Sequence, residues 1–405
     1  MDILIVSDFC GYFDGSSNSR FQYIAKNLTF LGHEIEILTS NFSHGSKSYL
    51  RNIKTNNNYK ITMLFEPSYK TNVCLRRFYS HFVWGINVMR YLRKRKKPDI
   101  IYCAMPTLTA AYATAKYCEK NNIKFIVDVQ DLWPEAYRMV FNVPILSDIV
   151  YTPFNFLANN AYKRADEIIA VSKTYVERAI SVNKKVKKGH SIFLGTNLSD
   201  FDVNVKNNPV DKMTNIPIKD EKELWLAYCG SLGASYDLTC VFDALEIVRN
   251  NGIKPPKFII MGDGPRRKEF EQYVKDKNIN VFFTGRLPYP QMCSVLCKCD
   301  ITVNPIKHGA AGSIINKHAD YAASGLPVLN TQECLEYRKL VDEYKMGINC
   351  RNSDSKDLAD KLEILIKDKN LRKKMGQNAR CCAEEKFDRA NSYKEIYAIL
   401  ENNFI

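Results

Sequence analysis

Apolar residues along this chain fall into short runs at a regular spacing, and the stretches between them carry helical periodicity. Residues 3–7, Ile-Leu-Ile-Val-Ser, form the first run and read as a strand buried on both faces. A glycine-bearing turn follows, then a helix near 19–31 that ends at Gly32-His33, then a strand at 34–38. Residues 99–102, a helix near 107–121, and strands at 125–129 and 166–171 continue the alternation. Strand, helix, strand at this rhythm predicts a parallel sheet with helices on both faces. From about 202 to 222 the pattern lapses into Pro209, Pro217 and polar residues, which reads as a linker. A second alternating unit follows, with strands at 224–228, 258–261, 281–283 and 301–303 and helices near 237–250, 265–276, 290–298 and 315–324. Asp354 is placed to cap a helix whose Leu358, Leu362 and Leu365 share one face, and a last helix is expected at 389–401.

The length of 405 residues suits two domains, and 45% hydrophobic with 25% charged residues is the balance of a globular protein. No apolar run reaches the ~20 residues that span a bilayer, and the start lacks the basic and apolar regions of a signal peptide. A cytoplasmic protein is expected. The thirteen cysteines are scattered without a CxxC pair, which reads as buried reduced thiols with no metal site. The net charge of +14 is concentrated in residues 1–205 and implies an anionic partner: a membrane surface, a diphosphate or nucleic acid.

Candidate chemistry is densest at 304–328. A glycine-rich loop from Gly309 to Gly312 leads to Ser313, expected to cap a helix carrying Asn316, Lys317 and Asp320. Such a helix start presents free N–H groups to phosphate. Lys317 and Asp320, three apart, share a face on which a diphosphate and a ribose could lie. Three strands run into glycine turns, at Gly230-Ser231, at Gly262, and at Gly285-Arg286-Leu287, where ligands of parallel sheets bind. In the first half, Gly15 lies in a small-residue loop and Arg20 follows it as a candidate phosphate ligand. That loop is no GxGxxG fingerprint, which argues against a dinucleotide enzyme. Gln130, Asp131 and Glu135 close the run 125–135; Asp131 can orient an acceptor hydroxyl or cap the turn before Pro134.

These stretches, with Leu31-Gly-His-Glu34, Ala165 to Ser172 and the segment 316–328, resemble the family 4 glycosyltransferases of the GT-B fold, many of which build bacterial surface polysaccharides. The resemblance implies an α/β architecture of two Rossmann-like domains facing across a cleft. The acceptor domain would span 1–205 together with a crossover helix at 387–405, and the donor domain 206–386. It implies a retaining transfer from a nucleoside-diphosphate sugar, expected to be UDP-linked and with an N-acetylated sugar as one option, to a lipid-linked or saccharide acceptor. Neither a metal nor another cofactor is required. Lys317, Asp131 and Arg20 are the candidate catalytic residues. The donor set is Gly15, Gly230, Ser231, Gly262, Arg286, Leu287, Gly312, Ser313, Asn316, Lys317 and Asp320, and the acceptor set Gln130, Asp131 and Glu135. Two departures stand out: Gly312 occupies the place of a first glutamate common in the family, and 232–238 lacks the usual Arg and Lys. Gln130 stands where many members have histidine.

Residues 76–97 mix aromatic and aliphatic residues with basic ends, and Arg93 to Lys97 are all basic. Such a segment can lie on an anionic bilayer, and peripheral association with the inner face of the membrane is expected. A UDP-sugar 2-epimerase of the same fold is the alternative reading. A basic nucleic-acid-binding protein is the weaker one, since no recognition helix, zinc site or RNP-like motif is present and no nucleic acid is expected as a partner.

Overall fold

The computed structural model describes residues 1–14, 18–50, 58–72, 74–139, 146–310 and 313–401. They form two compact units, Met1–Phe193 with Tyr393–Ile405, and Leu194–Ser392.

The first unit holds strands β1 (Asp2–Val6), β2 (Glu34–Ser40), β5 (Lys60–Leu64), β6 (Ile100–Met105), β7 (Lys124–Val129), β8 (Glu167–Ala170) and β9 (His190–Ser191), with a small antiparallel pair β3 (Phe42–Ser43) and β4 (Ser48–Tyr49). The sheet order is β5-β2-β1-β6-β7-β8-β9, and every pairing is parallel. Its strands are apolar without alternation because helices cover both faces; Ile3, Leu4 and Ile5 are wholly buried. Ser19 caps the helix Arg20–Phe30 by accepting the Gln22 N–H. The chain's closing helix, Lys394–Glu401, lays Ile396, Ile399 and Leu400 into the same core as Ile3, Ile5 and Ile24.

The second unit holds β10 (Trp225–Cys229), β11 (Lys257–Met261), β12 (Val281–Gly285), β13 (Ile301–Asn304), β14 (Val328–Asn330) and β15 (Gly347–Asn349), all parallel in the order β12-β11-β10-β13-β14-β15. The order reverses between β10 and β13, and the carboxyl ends on either side of such a reversal form a ligand-binding crevice. Leu358, Leu362 and Leu365 pack with Phe242 and Phe258, and Asp354 caps their helix as expected.

The structure corrects several expectations. The expected linker contains a helix, Leu198–Asn207, capped by Asn197 and packed on the helix Tyr289–Cys297, where the Ser294 hydroxyl donates to the Val205 carbonyl. The units therefore divide at 193/194 rather than 205/206. The chain returns to the first unit at Tyr393 rather than 387, because Arg389–Ser392 is a separate short helix of the second unit. No helix among the described residues is long and apolar enough to cross a membrane.

Candidate functional site

The second unit's crevice is built from turns that only glycine permits. Gly230 leaves β10 with φ +149°, and its N–H donates to the Met261 carbonyl at 3.0 Å. Gly262 leaves β11 so close to this turn that a Cβ there would lie 1.8 Å from the Gly230 carbonyl oxygen. Beyond β13, a buried amide network anchors the helix Asn316–Ala323. Asn304 Nδ2 lies 2.9 Å from both His318 Nε2 and Asn330 Oδ1, and Gln332 Nε2 donates to the Ser313 carbonyl at 2.8 Å. The helix starts after Ile315, whose N–H donates to His318 Nδ1 at 2.9 Å; Ser313 is not its cap, because it lies two residues before that start.

This anchoring carries Lys317 over the Gly230 turn. A Cβ on Gly230 would come 2.8 Å from Lys317 Nζ. The ammonium lies 3.9 Å from the ring centre of Tyr236 and 4.2 Å from that of Tyr228. These aromatic faces attract a cation but give it no hydrogen bond, and Nζ has no hydrogen-bond partner among the described residues. Burial pushes its pKa down to about 7. One turn on, Asp320 accepts a 2.7 Å hydrogen bond from the Tyr289 hydroxyl, which lies 2.8 Å from Thr196 Oγ1. Burial raises the Asp320 pKa to about 6, opposed by the Tyr289 bond and by Arg389. Lys317 and Asp320 thus stand on one short helix as two buried ionisable groups, each held near neutrality and not paired with the other.

Gly230, Gly262 and Lys317 come together at this edge. Ser231 is exposed beside them with its carbonyl taken by the Tyr228 hydroxyl, Arg286 and Asn316 are exposed, and Leu287 is half-buried. Gly15 and Gly312 lie outside the described residues. Tyr228, Tyr236 and Tyr289 were not singled out by sequence, since nothing in their spacing says which tyrosines face a lysine.

Arg20 is corrected. Its Nε donates to Asp128 Oδ2 at 2.8 Å, and its Nη1 reaches the carbonyls of Ile192 and Phe193 and the Tyr393 hydroxyl. Arg20 is a buried structural cation whose Nε and Nη1 are engaged within the first unit, so it has no exposed fork to offer a phosphate. Asp131 accepts from the Leu132 N–H and Trp133 Nε1, both at 3.0 Å, which is the turn-capping use foreseen as its alternative. Glu135 pairs with Arg178. Gln130 keeps a buried Nε2 without a hydrogen-bond partner among the described residues. All thirteen cysteines are free thiols, most of them buried.

Two family profiles match in sequence: "Glycosyltransferase Family 4" over residues 18–199 and "Glycosyl transferases group 1" over 210–381. The chain belongs to the family 4 glycosyltransferases. This glycosyltransferase is 27% identical over 176 residues to a Campylobacter jejuni enzyme named as an α-1,4-N-acetyl-D-galactosaminyltransferase acting on a diNAcBac-PP-undecaprenol glycan, covering 40% of this chain and 43% of that one. It is 28% identical over 196 residues to Protein CapJ of Staphylococcus aureus, covering 47% and 45%. The chain spans less than half the length of these curated relatives. Among solved structures, Anabaena HepE in complex with UDP and glucose superposes with TM-score 0.70 at 16% identity, covering 99% of this chain and 100% of that one. That likeness establishes the GT-B fold.

Proposed function

We propose that the glycosyltransferase moves a sugar, with retention of configuration, from a UDP-linked donor to a hydroxyl of a lipid-linked saccharide at the inner face of the membrane. The observation that carries this reading is Lys317, a buried ammonium without a hydrogen-bond partner over the Gly230 turn. A diphosphate in the crevice gives that ammonium its missing partner. As the glycosidic bond breaks, negative charge grows on the departing diphosphate. A preplaced ammonium and the N–H groups near Gly230 stabilise that charge more than they stabilise the bound donor. Asp320, steadied by Tyr289, takes the ribose hydroxyls. The transfer uses no protein nucleophile and no metal ion; the diphosphate itself accepts the proton of the incoming hydroxyl.

The lipid-linked acceptor draws on two supports. The Campylobacter relative is named for a PP-undecaprenol substrate and an N-acetylated sugar. The helix Leu75–Lys94 exposes Leu75, Tyr79, Phe82 and Ile86 along one face, beside exposed Arg76, Arg93 and Lys94. Ile149, Val150 and Phe156 of the helix Leu146–Arg164 are exposed too, and Phe78 joins the two helices by ring contact with Phe154. Apolar rows with basic neighbours match an anionic bilayer.

Donor turnover measured across UDP-, GDP- and dTDP-sugars tests the reading. A preference for one UDP-sugar that falls with Lys317→Ala is expected. Turnover indifferent to both base and Lys317 contradicts it.

A further inference from the structure

The first unit carries a buried cluster that the donor chemistry does not use. Asp8 lies two residues beyond β1, Glu66 two residues beyond β5, and His81 on the helix Leu75–Lys94. All three are buried, at 6%, 1% and 5% exposure. One ligand atom from each lies within 4.8 Å of the others, and His81 Nε2 is 3.9 Å from Asp8 Oδ2. Asp8 Oδ1 and His81 Nε2 have no hydrogen-bond partner among the described residues. The groups are braced from behind. Thr107 Oγ1 donates to Asp8 Oδ2 at 3.0 Å, Ser80 Oγ donates to Glu66 Oε1 at 2.5 Å, and the His81 ring lies flat on Trp133 at 5.5 Å and 10°.

Two buried carboxylates beside an unpaired imidazole nitrogen cost several kcal/mol unless a shared proton or a positive charge compensates them. Arg77, packed over Trp133 at 4.5 Å, supplies one such charge, and the Lys47 ammonium is engaged with Asn72 and His44. We propose that Asp8, Glu66 and His81 hold one zinc ion. Two carboxylate oxygens and one imidazole nitrogen are a ligand set zinc accepts, with a water completing the tetrahedron. A cavity of about 20 Å³ lined by Asp8, Thr107 and Gln130 meets the cluster at Asp8 and has room for a single water. Zinc–ligand bonds of ~2.1 Å set ligand atoms ~3.4 Å apart, so the His81–Asp8 pair at 3.9 Å closes by about half an ångström on the ion, and no pair, all lying within 4.8 Å, closes by more than ~1.4 Å. The hydroxyls of Thr107 and Ser80 then orient the carboxylates, as supporting donors do in metal sites. The ion ties the ends of two strands to the helix Leu75–Lys94. The site stands within the first unit and is independent of the donor reading.

The test strips the full-length protein with EDTA and titrates it with zinc chloride against a chromophoric competitor. One equivalent is expected to bind at micromolar or tighter affinity. Asp8→Asn and His81→Gln should each lose that equivalent, while Thr107→Val, which leaves all three ligands in place, should weaken it ~10- to 100-fold. Circular dichroism establishes that each variant is folded; should the ligand variants fail to fold, Thr107→Val decides the matter. Zinc held by surface thiols would persist in every variant, so binding unchanged by these substitutions overturns the proposal. So does a parent protein that binds no zinc, or an Asp8→Asn protein that melts higher with zinc having no effect on the parent, which marks a shared proton instead.

Discussion

UDP binding should weaken as the pH rises from 7 to 8.5, because the ammonium assigned to the diphosphate loses its proton over that range. Lys317 is buried with a pKa of about 7. A diphosphate beside it favours the charged form and raises the pKa again. If only the charged form binds, the apparent dissociation constant scales with one plus the ratio of neutral to charged lysine. That factor grows about 15-fold between pH 7 and 8.5, or about 1.6 kcal/mol. At pH 8 roughly 0.9 proton should be taken up per UDP bound. The UDP terminal phosphate, with a second pKa near ~6, and Asp320, at about 6, are both largely ionised across this window and add little. Isothermal titration in buffers of different ionisation enthalpy reads the uptake directly, and Lys317→Met should bind weakly with no pH slope. Without ligand the sign is opposite for stability: the depressed pKa favours the fold increasingly as pH rises from about 7 towards the 10.5 of an ordinary lysine. A parent protein whose UDP affinity is flat from pH 7 to 8.5, with no proton uptake, refutes the placement of the diphosphate on Lys317.

Asp320→Ala should weaken UDP by ~10- to 100-fold, the value of one or two charge-assisted bonds, in the same titration; unchanged affinity removes the ribose assignment. Proton NMR of the freshly formed glycoside should show an α linkage from an α-linked donor, and a β product ends the retaining reading. Arg20→Met leaves Asp128 buried without its cation and should cost ~3–5 kcal/mol in denaturant unfolding; a loss near zero contradicts the structural role given to Arg20. Substituting Arg93, Lys94, Lys96 and Lys97 by Gln should reduce binding to anionic vesicles by roughly 1 kcal/mol per residue, with equal sedimentation of parent and variant the contrary result. Arg95 is spared in that variant because it is tied to Asp2 and Glu36.

Arg95 shows where a linear reading stops. Within a run of five basic residues it looks solvated like its neighbours, yet its partners lie at positions 2 and 36, which only the folded sheet brings near. Arg20 and Asp128 repeat the lesson across 108 residues. By contrast, the strands were legible because burial on both faces leaves no polar alternation, and the cap at Asp354 because a side chain there serves a neighbouring N–H. The helix Leu198–Asn207 was hidden because it buries only Leu198 and Phe201 among polar residues that resemble a linker. At the site, Lys317 and Asp320 could be placed on one helix face by spacing alone. Their burial, and the tyrosines that enforce it, come from three other segments. The cluster of Asp8, Glu66 and His81 likewise draws one residue from each of three elements.

The return of Tyr393–Ile405 to the first unit bears on how the protein is made. Ile396, Ile399 and Leu400 fill part of the core that Ile3 and Ile5 begin, Tyr393 receives the Arg20 guanidinium, and the Ile399 carbonyl accepts from Lys124 Nζ. A nascent chain therefore cannot complete its first unit when residue 193 leaves the ribosome. That unit waits, with an open seam and with Arg20 lacking its Tyr393 partner, while the whole second unit is synthesised. A premature stop between residues 193 and 393 therefore leaves the first unit without part of its own core as well as truncating the second.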